Sequence, residues 1–163
     1  MPGWWATKIR RTRAYMRARV SPAERLGIAG WLTPAQLDLF DSMATADRRH
    51  GLDVVAYLRS RSGTDPDLLI AGLLHDCGKG RSLHLPHRVA WSLGERYGAW
   101  IWRSVAVLPT FRTALEHLRH HAERSAALAE QAGCSSRTVQ LIRYQDQPVD
   151  DAGRLLHEAD EAN

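Results

Sequence analysis

The residues of this chain with the clearest chemical potential are His75 and Asp76, in the stretch Leu73-Leu74-His75-Asp76-Cys77-Gly78-Lys79-Gly80. An imidazole and a carboxylate are both ligands for borderline divalent metals. Adjacent residues on a helix point about 100° apart, so the two can share one ion only if it sits beside a helix end. Gly78 lets the chain turn away there, and Lys79, which has no lone pair while protonated, can serve only an anion such as a phosphate. The preceding segment, Asp65-Pro66-Asp67-Leu68-Leu69-Ile70-Ala71-Gly72-Leu73-Leu74, has an aspartate cap, proline at the first helical position and apolar residues around its whole circumference. Such a helix is buried, and ionisable groups at its end cost roughly several kcal/mol of desolvation unless something pairs them. The plainer alternative is that His75 caps the helix C-terminus and Asp76 is a surface carboxylate.

Helical phase identifies partners, because a ligand must project from the arc that buries its helix. His50 lies on the line of Met43, Val54, Tyr57 and Leu58. In the segment read as one long helix from about Thr110 to Gln131, His121 falls within the apolar arc, His117 at its edge and His120 on the opposite side. Near the carboxyl end Asp160 sits one turn after Leu156, whereas Asp151, Glu158 and Glu161 point away. Gln145 also faces inward, between the lines of Leu141 and Ile142. Singly, each could be a satisfied polar group of the core. Together, His50, His75, Asp76, His121 and Asp160 are five ligand-type residues on inward arcs or helix ends.

This ordered set resembles the HD-domain superfamily, whose pattern is a His, a later His-Asp dyad and a final Asp. The resemblance implies that His50, His75, Asp76 and Asp160 converge on one metal ion. The contexts are similar as well: Asp47-Arg48-Arg49-His50-Gly51-Leu52-Asp53-Val54-Val55, the dyad turn, and Ala159-Asp160-Glu161-Ala162-Asn163. His121-Ala122-Glu123-Arg124-Ser125-Ala126 resembles a His-Pro-Glu-x-Gly-Ala block of bacterial members. The likeness runs from about Leu32 to the carboxyl terminus. It departs at Gln145, where members with two metals usually carry a histidine nearby, and the Gly-Tyr-Pro signature of cyclic-di-GMP-hydrolysing relatives is absent. One tightly held ion is therefore expected, with His121 and Gln145 left for a phosphate or a weaker second ion.

The elements that must position these residues read as all-α. Repeated helix signals with almost no alternating apolar-polar runs predict a single compact bundle of roughly eight helices. Residues 1–31 form a basic amino-terminal helix and lead-in, and residues 32–163 form the metal-binding helical domain. Further helices are expected from Thr33-Pro34, from Asp47 through Leu58, over two tryptophan-rich stretches between Arg88 and Val107, after Ser135 or Ser136, and from Asp150 to Ala162. The 163 residues are 44% hydrophobic and 25% charged, enough for a genuine core and against intrinsic disorder. Cys77 and Cys134 make no metal or disulfide framework, and no signal-peptide or spanning segment is visible, so a cytoplasmic protein is expected. The net charge of +4 is concentrated in Lys8, Arg10, Arg11, Arg13, Arg17 and Arg19, interleaved with Trp4, Trp5 and Tyr15. That helix suits weak, non-specific contact with nucleic acid or an anionic membrane, or simple packing on the domain.

Two imidazoles or three with two carboxylates suit Mn, Fe, Co, Ni or Zn better than Ca. Such an ion acidifies water and polarises a phosphoryl oxygen. Asp76 could orient the water, Lys79 hold a non-bridging oxygen, and Arg48 and Arg49 clamp a phosphate. The expected function is a metal-dependent phosphohydrolase acting on a nucleotide or other small phosphate ester. The alternatives are a catalytically weak HD domain that binds metal or nucleotide for regulation and, more distantly, a basic nucleic-acid-binding protein.

Overall fold

The computed structural model describes residues 4–61, 63–81 and 83–163, with the side chains of residues 4, 7–11 and 14 outside that description. The expectations for Trp4, Lys8, Arg10 and Arg11 therefore lie outside the described residues. Eleven α-helices and one 3-10 turn make up the described chain, which is 75% helical and contains no strand. They are α1 (Trp4–Arg17), α2 (Pro22–Ala29), α3 (Pro34–Ser42), α4 (Thr45–Ser60), α5 (Pro66–Leu74), the 3-10 turn Cys77–Lys79, α6 (Leu85–Tyr97), α7 (Trp100–Val105), α8 (Pro109–Arg119), α9 (His121–Gln131), α10 (Ser136–Arg143) and α11 (Asp151–Ala162). None of them is long and apolar enough to cross a membrane.

The all-α expectation holds, but eight helices is too few. The amino-terminal stretch contains a second helix, started by Ser21-Pro22 with a full capping box to Glu24. The expected helix over residues 110–131 is two, broken at His120 (φ −112°, ψ 22°). The two halves bury different faces. On α8, Ala114 and Leu118 pack with Leu83 and Trp91 in a small satellite cluster, whereas Ala126 and Ala129 of α9 belong to the main core. One straight rod cannot serve both.

The main core centres on α5, which touches α3, α4, α10 and α11. Leu73 and Leu74 are fully buried there with Phe40, Val54, Leu58, Ile142 and Leu156. Each contributes about 1.5–3 kcal/mol by leaving water. The apolar circumference of α5 thus fixes it as the axis about which the other helices settle.

The α4–α5 crossing is a close one. A Cβ on Gly51 would lie 2.5 Å from the Leu73 carbonyl oxygen, and one on Gly72 would lie 2.8 Å from Leu58 Cδ1 and 3.1 Å from Val54 Cγ1. Backbone meets backbone at Gly51, so nothing there can swing aside. This contact seats His50, the neighbour of Gly51, against the end of α5. Gly51→Ala should lower unfolding free energy by about 1–3 kcal/mol through overpacking, measured by denaturant titration. A substitution without effect would mean that the two backbones separate easily.

Candidate metal centre

Three helices deliver the candidate ligands to one place. His50 comes from α4, His75 caps the C-terminus of α5, and Asp160 comes from the last turns of α11. The phase of α11 is set by Asp150, whose side chain accepts from Gly153 N at 2.8 Å. His50 Nε2 lies 2.7 Å from Asp160 Oδ1, and His75 Nε2 lies 3.5 Å from the same oxygen. One ligand atom from each of the three residues falls within 4.8 Å of the others. The two imidazoles meet edge to face at 5.2 Å between centroids.

His75 carries the observation that matters most. Its Nδ1 donates to the Gly72 carbonyl at 2.9 Å, which leaves Nε2 facing the cluster. That Nε2 is buried and has no hydrogen-bond partner. Its distances to Asp160 and to Asp76 Oδ1 (3.6 Å) exceed the range of an ordinary N–H···O bond. An imidazole oriented by a carbonyl behind it, with an unmet buried nitrogen in front, has the arrangement typical of a metal-ligating histidine. The residues present therefore fit a divalent ion.

Asp76 is only 2% exposed, which excludes the surface-carboxylate reading. Its two oxygens divide their contacts: Oδ1 faces His75 Nε2, and Oδ2 takes Lys79 Nζ at 2.5 Å. Burial works against its charge, yet Lys79, His75 and His50 outweigh burial and hold Asp76 well below the usual carboxylate range. Burial likewise opposes ionisation of Asp160, and the hydrogen bond from His50, with the His75 imidazole close by, reverses that effect. For His75, burial disfavours the cation, but the carboxylates of Asp76 and Asp160 prevail and lift its pKa to about 9. Burial pushes the neighbouring Cys77 thiol up to about 12, so it is no thiolate ligand at neutral pH.

The dyad turn is held from behind by α9. Gly78 N donates to Ser125 Oγ at 2.8 Å, Arg124 Nε donates to Gly78 O at 3.1 Å, and Cys77 Sγ approaches Ser125 O at 3.6 Å. A Cβ on Gly78 would lie 2.5 Å from Ser125 N and 2.6 Å from His121 O. Gly78 is thus required for close approach, and the residue with positive φ is Gly80 (77°). The expected role of Gly78 as the residue that releases the chain passes to Gly80.

The remaining sequence candidates separate. His121 is half-buried, with Nδ1 donating to Leu118 O at 2.8 Å, and it does not join the three-residue cluster. Gln145 is buried, as its phase requires, but its Nε2 donates to the His75 carbonyl at 3.2 Å, bracing the end of α5. Arg48 bonds Thr45 Oγ1 and approaches Asp41 at 3.6 Å. Arg49 pairs with Glu24 and Asp53 and lines the cavity at the cluster. That cavity, about 240 Å³, is also lined by Tyr15, Asp47, His50, Asp76, Lys79, Arg88 and Asp160. A larger hollow of about 360 Å³ between α9 and α10, lined by Glu130, Cys134 and Arg143, has none of the cluster residues on its wall.

Sequence reasoning missed Tyr15, Asp47, Arg88, Arg124 and Ser125. Asp47 carried one usable signal, its place one turn before His50 on α4. The others are brought in by elements distant in the chain. No family model, no curated protein and no solved structure matches the chain.

The raised pKa of His75 sets a pH dependence for the metal-free protein. Its charged form contributes stability in full below about pH 6.5, and that contribution is lost as pH rises through about 9. In chelator-treated protein, the stability advantage of wild type over His75→Gln should therefore narrow across this window, read from denaturation midpoints. A constant gap would show that His75 is not held charged by its carboxylates.

Proposed function

We propose that the chain is a metal-dependent phosphohydrolase of the HD type, acting on a nucleotide or another small phosphate ester. The observation that carries this reading is the buried, unpartnered Nε2 of His75, set by its bond to Gly72 O beside His50 and Asp160. A structural histidine pair would have its nitrogens satisfied. Here the donor set of two imidazoles and carboxylate oxygens suits Mn, Fe, Co, Ni or Zn.

A divalent ion, when bound, would supply an acidified water and a Lewis-acid contact for a phosphoryl oxygen. The chain's own residues do the rest. His50, His75 and Asp160 hold the centre, with Asp76 Oδ1 beside it. Asp76 also fixes Lys79 through Oδ2, which places an ammonium at the cavity wall, where it meets a non-bridging phosphate oxygen as a point charge. Arg49 adds a second cation to that wall. Gln145 is engaged with the His75 carbonyl and His121 stands outside the three-residue cluster, which supports one tightly held ion per chain rather than two.

A catalytically weak regulatory module would share the metal and lack the turnover. Contact of the basic amino-terminal helix with nucleic acid or an anionic membrane is a lesser element of the proposal. Arg13, Arg17 and Arg19 are exposed and available for it.

Elemental analysis of the purified protein, followed by a phosphate-ester screen with Mn²⁺, Co²⁺ or Ni²⁺, tests the reading. About one ion per chain is expected, lost in His75→Ala and Asp160→Ala. Lys79→Ala should keep its metal and lose at least about tenfold in kcat/KM, equivalent to about 1.4 kcal/mol. Metal-free wild type that stays metal-free on addition of these ions would sink the proposal, and metal without turnover on any phosphate ester would favour the regulatory module.

A further inference from the structure

Arg88 takes no part in the ligand cluster, yet it is a firmly braced cation on the cavity wall. It comes from α6, outside the helices that carry the ligands. Its Nη2 donates to both oxygens of Asp47 at 2.6 and 2.8 Å, and the Asp47 side chain is only 4% exposed. Asp47 stands one turn before His50 on α4, so this ion pair puts the guanidinium beside the turn that bears a ligand. The guanidinium carbon lies 5.1 Å from the Tyr15 ring centroid, and Tyr15 is itself tied by its hydroxyl to the Leu83 carbonyl at 3.4 Å. Tyr15, Asp47, Arg88, Lys79, His50 and Asp160 all line the same cavity.

Two features make this more than a structural salt bridge. Asp47 engages a single nitrogen, Nη2, of a group with five donors in a planar fork, and Nε is buried with no partner. The fork is thus not used up, and 23% of the side chain stays accessible. The second feature is the charge of the lining. Three cations, Arg49, Lys79 and Arg88, face four carboxylates, Asp47, Asp53, Asp76 and Asp160. A divalent ion tips this balance to net positive, and the cavity then favours an anion.

We propose that Arg88, braced by Asp47 and Tyr15, grips the phosphoryl group of the ligand, and that the site takes a terminal phosphate monoester rather than an internal diester. This rests on the phosphate-ester reading above. Lys79, Arg88 and a bound ion are three separate cationic contacts. A terminal phosphate has three non-bridging oxygens to offer them, and a diester has two. The amino-terminal helix, through Tyr15, is then part of the binding site.

Calorimetric titration of orthophosphate and of dimethyl phosphate into the full chain, with and without Mn²⁺, tests this. Orthophosphate should bind at least about tenfold more tightly than dimethyl phosphate. Arg88→Met should weaken orthophosphate about tenfold with bound metal unchanged, and Arg88→Lys should recover part of the loss because it keeps the charge without the fork. Since Arg88→Met strands a buried carboxylate, the Asp47→Asn/Arg88→Met double variant provides a neutral, foldable control with the same expected loss. Wild-type orthophosphate affinity in the folded double variant would overturn the role of Arg88. Equal binding of the two probes would overturn the monoester assignment, and no binding of either by wild type would overturn both. Metal content measured on the same preparations separates these failures from failure of the phosphohydrolase reading. A wild type that takes up no metal refutes that reading and, because the cavity lining is then net negative, this proposal with it, whereas a metal-loaded wild type that binds neither probe refutes this proposal alone.

Discussion

The site depends on how closely α4 and α5 can approach. Gly51 lies where a Cβ would be 2.5 Å from the Leu73 carbonyl oxygen, and Gly72 faces Leu58 and Val54 from the other side of the same contact. Two glycines remove the side-chain layer that normally keeps helix axes about 8–10 Å apart. The imidazole of His50 is thereby brought within 5.2 Å of that of His75, centroid to centroid. Once that crossing is fixed, α11 has one groove to fill, touching both α4 and α5. Leu156, fully buried one turn before Asp160, locks its phase. The ligand geometry is then a result of core packing, with no dedicated loop.

The electrostatics at this crossing are hard to explain as a device for stability. His75 and Asp76 are 1% and 2% exposed, and the half-buried Lys79 and Asp160 complete a cluster of alternating charge around them. Replacing such buried ion pairs by apolar residues is often neutral or stabilising, by about 1–4 kcal/mol. A chain selected for stability alone gains little from placing these groups at the end of its most apolar helix. An unmet His75 Nε2 adds a further penalty, since a buried polar atom without a partner costs about 1–3 kcal/mol. The arrangement is intelligible if a cation completes it, because one ion would satisfy the imidazoles and the carboxylates together. The same argument applies less strongly to Asp47 and Arg88, which satisfy each other and leave only part of the guanidinium unmet.

Much of this was legible in the sequence because helical phase is a strong signal. The inward arcs of His50, Asp160 and Gln145 follow from spacing against Val54, Leu156 and Ile142, and all three lie where those arcs put them. His121 is the exception, because its phase holds only along a single rod from Thr110 to Gln131, and the break at His120 re-aims everything on one side of it. The hydrogen bond from His120 N to Glu116 O closes α8 and that from Arg124 N to His120 O opens α9, so the pattern stops and restarts at a single residue. What divides the helix is tertiary: α8 must cover Leu83 and Trp91 while α9 must cover the dyad turn. Arg88 and Tyr15 were illegible for a related reason, because spacing within a helix says nothing about which distant helix supplies the wall of a cavity.

The division of the chain at residue 31 has physical content only if α1 is dispensable to the site, and the contacts argue that it is not. Tyr15 lines the cavity, carries the Arg88 guanidinium on its ring and bonds the carbonyl of Leu83, itself 1% exposed in the satellite cluster. A cation over an aromatic ring gains about 0.5–2 kcal/mol, more as water is excluded. That is too little to fold a helix but enough to choose a side-chain position. Contacts link Tyr15 to Arg88 and Arg88 to Asp47, which stands one turn before His50 on α4. The aromatic and basic residues of α1 therefore serve two surfaces: Tyr15 faces the cavity, while Arg13 and Arg17 face solvent. A basic helix read from composition alone suggests a partner outside the molecule, but one of its aromatic residues already has its partner inside.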